Sequence, residues 1–252
     1  MAFVKFHLPC TKCGGSDPVS VDADGHGYCF SCNTYLRNYE DGGVPDQVSD
    51  FKTYKRNAMN YSDGGFNQLS DRGISVDTAK KYGVKSILNS SNKITTHFYP
   101  YYNGNEMGGA KVRDVKDKSF IWEGSPKSTG LFGQQAFQAN GKFITLVEGE
   151  CDAMAAYELL GSKWPVVSVK NGAGGAVKDV KENLEFLESF DCVVINFDND
   201  KAGKEAAKKV ARILRPGKSK ILHMPVEFKD PNDMLRQNCK QAYVTAWWAA
   251  KL

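Results

Sequence analysis

No stretch of this sequence approaches the 18 consecutive apolar residues that a membrane-spanning helix needs, so no membrane association is expected. The opening residues, from Met1 to His7, lack the cationic-then-apolar pattern of an export signal, and a reducing cytoplasm is the expected compartment. Cysteine is sparse and odd in number, at 7, which argues against a disulfide framework. Neither charge dominates: 33 Lys and Arg stand against 29 Asp and Glu, for a net charge of +4. A mildly basic middle, residues 64–139, lies between more balanced ends, which permits a polyanionic partner without requiring one. Neither a repeat of 20–50 residues nor a low-complexity segment is present. Complete phosphate-binding loops are also missing. Gly217-Lys218-Ser219 resembles the end of one, but Arg212 stands where its first glycine belongs. Gly172-Ala173-Gly174-Gly175 carries Val177 where a dinucleotide fingerprint needs its third glycine.

What remains is an ordinary globular composition, 41% hydrophobic and 25% charged, arranged in three zones. Residues 1–40 are cysteine-rich and turn-rich, with too little apolar content to hold a fold by burial alone. Residues 41–63 concentrate Gly, Pro, Asp and Ser without periodicity and read as a flexible linker. Residues 64–252 carry α/β patterning. A short helix is expected over 75–82, then two strands, 94–102 and 107–112, joined by a turn, with Pro100 at a strand edge or bulge. Strands at 142–147, 165–169, 192–197 and 219–224 then alternate with helices at 152–160, 176–189 and 203–214, and a terminal helix begins at 241. This alternation predicts a mostly parallel sheet with helices on both faces. The Tyr99, Tyr101 and Tyr102 cluster reads as sheet packing, and Cys151 as a small core residue.

Two constellations carry chemistry. Cys10-x-x-Cys13 and Cys29-x-x-Cys32 are paired knuckles whose spacing brings four thiolates to one tetrahedral centre. Structural zinc is the expected occupant, ahead of iron or a redox dithiol, and its binding would supply the folding free energy this segment lacks. His26, Tyr28 and Phe30 beside the second knuckle offer groups that could stack on exposed bases, or could simply support the metal site. The second constellation is acidic. Glu148, Glu150 and Asp152 follow one expected strand, Asp198 and Asp200 another, and Asp230 and Asp233 a fourth. In a parallel sheet these ends share one edge, where such folds bind ligands. Crowded carboxylates repel, and Mg²⁺ is the usual remedy, because it favours carboxylates, phosphate oxygens and water. Capping and turn formation offer a plainer reading, weakest for Glu148, Asp198 and Asp200. Lys111, Arg113, Lys116 and Lys118 form a basic run suited to phosphate, or to a solvated turn in the case of Lys116 alone.

The sequence from Glu148 to Asp152, followed by Asp198-Asn-Asp200, resembles the Toprim signature. With the four-cysteine ribbon ahead of it, the chain is similar to the primase half of the bifunctional primase–helicases of T-odd phages. Further likeness lies in His7-x-Pro-Cys, Gly25-His26, Ser70-x-Arg-Gly-Ile, Lys111-Val-Arg113-Asp, Gly130-Leu-Phe-Gly133, Phe197-Asp-x-Asp-x-Ala-Gly203 and Lys229-Asp-x-Asn232. The resemblance implies a small zinc-ribbon β domain, then an α/β domain with a Toprim core at about 141–230. It implies synthesis of short RNA primers from ribonucleoside triphosphates on a single-stranded DNA template, in the cytoplasm of a phage-infected bacterium. It further implies partnership with a replicative helicase, fused or separate, and with a replicative DNA polymerase. By the same resemblance His26 reads template bases. Glu148, Asp198 and Asp200 form the catalytic, magnesium-binding centre, Glu150, Asp152 and Asp230 support it, and Lys111, Arg113 and Lys118 handle phosphates. Whether Glu148 binds metal or moves a proton is open. A non-enzymatic recombination mediator and a Toprim-type nuclease are the rival expectations.

Overall fold

The computed structural model describes residues 3–32, 34–36, 39, 60–125 and 128–251. The chain divides into two compact units, Met1–Met59 and Asn60–Leu252. Most of the expected linker, residues 41–59, lies outside the described residues. Residues 60–63, expected to end it, belong to the second unit: Tyr61–Asp63 form a 3-10 turn, and the Tyr61 amide donates to Glu123 Oε2 at 2.6 Å.

The first unit is a four-stranded antiparallel sheet of β1 (Phe3–Leu8), β2 (Val19–Asp22), β3 (Gly27–Cys29) and β4 (Thr34–Leu36), in that order. Among the described residues its buried apolar core is Cys10, Val19, Val21, Cys29 and Leu36. The first knuckle closes on itself, with the Gly14 amide on Cys10 O and the Cys10 amide on Gly15 O. Gly14 has φ of 71°, a left-handed turn that glycine adopts without steric cost.

The second unit begins with α1 (Val76–Tyr82), close to the helix expected there. Ser75 caps it by accepting from the Thr78 amide, and Gly83 ends it with φ of 74°. An antiparallel sheet follows: β5 (Lys85–Leu88), β6 (Ile94–Asn103), β7 (Glu106–Asp114) and β8 (Phe120–Gly124), in that order. The expected hairpin is β6–β7, and Pro100 sits as its chemistry demands. The last β5–β6 pair is Lys85↔Phe98, so at Pro100 only β7 lies alongside and the missing N–H costs no ladder bond. The flanking strands β5 and β8 were not expected. β8 is nowhere fully buried, so it shows no alternation of apolar and polar residues.

The parallel sheet contains β9 (Phe143–Val147), β10 (Val166–Ser168), β11 (Cys192–Asn196) and β12 (Ser219–Ile221), in the order β10-β9-β11-β12. Helices α2 (Glu150–Leu159), α3 (Gly172–Glu182), α4 (Leu184–Glu188), α5 (Lys201–Ala211), α6 (Pro231–Arg236) and α7 (Lys240–Trp248) cover it. Alternation along the strands gives two apolar faces. Ile144, Leu146, Val193 and Ile195 pack with Ala176, Val180, Ala207 and Val210 of α3 and α5. Val147, Val166 and Val194 pack with Met154 of α2 and Tyr243 and Trp247 of α7. Two buried hydrogen bonds fasten α7 to the central strands: Trp247 Nε1 donates to Thr145 Oγ1 at 2.9 Å, and the Tyr243 hydroxyl donates to Asn196 Oδ1 at 2.8 Å.

One expected helix, 176–189, differs. It starts earlier, at Gly172, and breaks at Asn183 into α3 and α4. Asn183 Nδ2 donates to Asp179 O at 2.8 Å, taking the carbonyl that a continuing helix would offer to the Asn183 amide. Ahead of the last helix, α6 was not expected; Asp230 caps it through the Asp233 amide at 2.8 Å, with Pro231 in its first turn.

Candidate active site and metal centre

Strand register places the acids. Val147 pairs with Ser168 on one side and Asn196 on the other, so three strands end level. The residues that follow, Glu148, Lys170 and Asp198, therefore leave the sheet at one rim. Glu148 is half-buried. Its Oε1 accepts from the Ala173 amide at the start of α3 at 3.0 Å, and its Oε2 is buried without a partner. Burial, and then the charge of Asp198, push the Glu148 carboxyl above the usual carboxylate range, with Asp200 adding to the shift. Asp200 caps α5, with Oδ1 accepting from the Gly203 amide at 2.8 Å. Gly203 is required there, because a Cβ would stand 2.3 Å from Asp198 O.

A second group of acids meets at Asp198. Asp152, in the first turn of α2, is raised well above the usual range by burial and then by Asp230 and Asp198. Asp230 is raised by burial against the pull of its capped amide, with Asp233 and Asp198 contributing. Lys229 answers this charge: its Nζ lies 2.9 Å from Asp198 Oδ2, and that hydrogen bond raises its own pKa. Asn232 ties the group together. Its amide donates to Asp152 Oδ1 at 3.3 Å, and its Nδ2 donates to Arg72 O at 2.8 Å. Asn199 holds the opposite lip, where Nδ2 donates to Pro225 O and Phe228 O and its own amide donates to Lys229 O. Neither asparagine, nor Lys229, was singled out as a site residue from sequence, although the Lys229-Asp-Pro-Asn232 string contained two of them.

Glu150 is held elsewhere. Its Oε1 receives Lys111 Nζ at 2.5 Å and the Tyr101 hydroxyl at 2.5 Å. Lys111 also donates to Lys170 O at 2.7 Å, so both ends of this pair are committed within the protein. Arg113 packs its guanidinium on Phe120, with its Nε buried and without an acceptor. Lys118 is exposed, with φ of 57°, in the turn between β7 and β8. Cys151, as expected, is buried, and burial pushes its thiol up to about 12. Its Sγ lies 3.2 Å from the Tyr99 hydroxyl, which meets His97 Nδ1 at 2.7 Å, and His97 Nε2 meets Asp71 at 3.1 Å.

The donor sets differ in how closely they converge. Cys10 and Cys32 Sγ are 3.8 Å apart, as are Cys13 and Cys29 Sγ, and all four sulfurs lie within 4.8 Å of one another. A tetrahedral ion with metal–sulfur bonds near 2.3 Å sets sulfurs about 3.8 Å apart, so the four cysteines fit zinc as they stand. Thr34 Oγ1, 3.1 Å from Cys32 Sγ, brings that thiol down to about 6, towards the thiolate a metal needs. Among the described residues, one other trio brings ligand atoms this close: Asp22, Asp24 and His26. There Asp22 Oδ1 accepts the amides of Asp24 and His26, and the His26 ring stacks on Tyr35 at 5.6 Å. Glu148, Asp198 and Asp200 are more open. Their partnerless oxygen, mutual repulsion and borrowed lysine suit a hard cation that would draw them together.

Residues 145–235 match a family model described as Toprim-like. The chain is 32% identical to the primase fragment of the bacteriophage T7 primase–helicase, covering 98% of this chain and 99% of that one, with a TM-score of 0.66. The chain belongs to the primase family of phage primase–helicases. A second T7 structure, in which the primase domains meet the lagging-strand DNA polymerase and an RNA/DNA hybrid, is 33% identical over 77% of this chain and 97% of its own, with a TM-score of 0.67. The DNA helicase/primase of enterobacteria phage T3 is 34% identical over 97% of this chain. The chain spans 44% of the length of that relative. No helix of the described residues is long and apolar enough to cross a membrane.

Proposed function

We propose that this chain synthesises short RNA primers from ribonucleoside triphosphates on single-stranded DNA. The observation that carries this reading is the register-fixed rim at which the partnerless Glu148 oxygen faces the charge of Asp198. In the reaction, a primer 3′-hydroxyl attacks the α-phosphate of the next ribonucleotide and pyrophosphate leaves. Glu148, Asp198 and Asp200 would hold Mg²⁺, which supplies charge stabilisation to the attacking and leaving oxygens. Glu148 Oε2, free and raised in pKa, is available to hold the cation or to take the hydroxyl proton. Lys229 neutralises Asp198 until substrate arrives, and its exposed amine can turn to the phosphates instead. Asp152 and Asp230 set the charge behind Asp198. The Glu150–Lys111 pair fixes the start of α2, while Arg113 and Lys118 meet phosphates.

The cysteine set would hold zinc and build a ribbon that reads the template, with His26 and its stacked Tyr35 as the base-contacting surface. A linker over 41–59 would join that ribbon to the polymerising domain. A helicase, carried on the same chain in the T3 relative, and a replicative DNA polymerase are the expected partners in the bacterial cytoplasm. The test is incubation with single-stranded DNA, Mg²⁺ and labelled ribonucleotides. Short RNA products uphold the reading. DNA fragments, or DNA binding without synthesis, would replace it with the nuclease or the mediator.

A further inference from the structure

In the β7–β8 register Arg113 faces Phe120 and Lys111 faces Trp122, so all four side chains lie on one face of the antiparallel sheet. That face reaches the acidic rim through Lys111, whose Nζ donates to Lys170 O at 2.7 Å. Phe120 is its outermost aromatic residue, 50% exposed on a strand that, among the described residues, has no partner beyond it. Two cations flank the ring: Lys111 Nζ at 5.4 Å and Arg113 Cζ at 5.5 Å from its centroid. They differ in availability. Lys111 is committed to Glu150 and Lys170 O, whereas Arg113 has no carboxylate partner among the described residues, and its buried Nε lacks an acceptor. A half-exposed ring beside an unpaired guanidinium matches both parts of a nucleotide: a flat base and the phosphate attached to it.

We propose that Phe120 is a stacking platform for a nucleobase at the lip of the active site, with Arg113 taking the adjoining phosphate. This rests on the primase reading only in expecting a ligand with a base and a phosphate. The base belongs either to the DNA strand or to the entering ribonucleotide, and two measurements on the full chain separate them. One is the Kd of a short oligodeoxynucleotide, read by anisotropy without ribonucleotides. The other is the ribonucleotide KM at saturating template. Phe120→Ala and Phe120→Leu should weaken one of the two roughly tenfold, while Phe120→Trp keeps it, because stacking needs a flat π-face and not merely apolar bulk. Arg113→Ala should also lower the salt dependence of oligonucleotide binding by about one charge if the DNA strand is the occupant. Equal thermal melting of Phe120→Ala and the parent excludes a folding artefact. If neither Kd nor KM moves in the Ala and Leu variants, or if the Leu variant behaves like the parent, the platform is refuted. A chain that binds oligonucleotide through Phe120 but makes no RNA would refute the primase reading and leave the platform standing.

Discussion

The two units of this chain solve the same problem by opposite means. The first buries five core residues, two of which, Cys10 and Cys29, are themselves candidate metal ligands. The second encloses a parallel sheet between two apolar clusters. A small domain without enough apolar surface borrows stability from metal binding, worth on the order of 10 kcal/mol in small zinc modules. A larger one obtains it from burial and can afford a rim of mutually repelling acids. Metal binding would supply structure to the first unit, and in the second the structure would make a place for a metal.

The largest effect should follow from removing that staple. Cys29→Ser, or a zinc chelator, should abolish the native amide dispersion of residues 3–39 in NMR spectra of the full chain while the second unit keeps its signals. Loss of both sets together would break the contrast. Next in size is the rim itself. Asp198→Asn should reduce primer synthesis by more than about 100-fold, as loss of a charge-stabilising group does, with an unchanged circular dichroism melt. A core change should do the reverse: Met154→Ala is expected to cost about 2–5 kcal/mol in denaturant unfolding of the second unit and to leave cysteine-bound metal in place.

The smallest effect is electrostatic, and its sign is fixed by Asp152. A carboxyl raised above its unfolded value binds more protons in the native state, so stability falls as pH rises from the ordinary carboxylate range through the raised value. Asp152→Asn keeps an oxygen for the Asn232 amide while discarding the charge. It should raise the melting temperature at neutral pH in magnesium-free buffer and flatten that decline. A variant that melts lower at pH 7 than the parent would show that the Asp152 charge is already compensated.

Legibility from sequence divided along similar lines. The cysteine knuckles and the strand–acid–helix elements were readable because each is local: spacing and alternation are written within a few residues. The break at Asn183 was not, since an asparagine mid-helix reveals its choice of carbonyl only once folded. Strand β8 was missed because exposure on both faces erases alternation. At the rim, Glu148 and Asp198 followed from strand ends. The diversion of Glu150 to Lys111 and Tyr101 did not, because those partners lie 39 and 49 residues away on a second sheet. Lys229 likewise gains its meaning only from the tertiary placement of Asp198.

The fastening of α7 bears on where the chain can be trimmed. Its indole N–H and phenol reach into the two middle strands and satisfy the Thr145 hydroxyl and the Asn196 carboxamide oxygen. A shortened version ending before Tyr243 would lose both hydrogen bonds and strip the apolar cover from Val147, Val166 and Val194, opening that face of the sheet to water beneath the strand tips that carry Glu148 and Asp198. Helix α7 is thus the keel of the acidic rim, and a minimal folded fragment should extend through it.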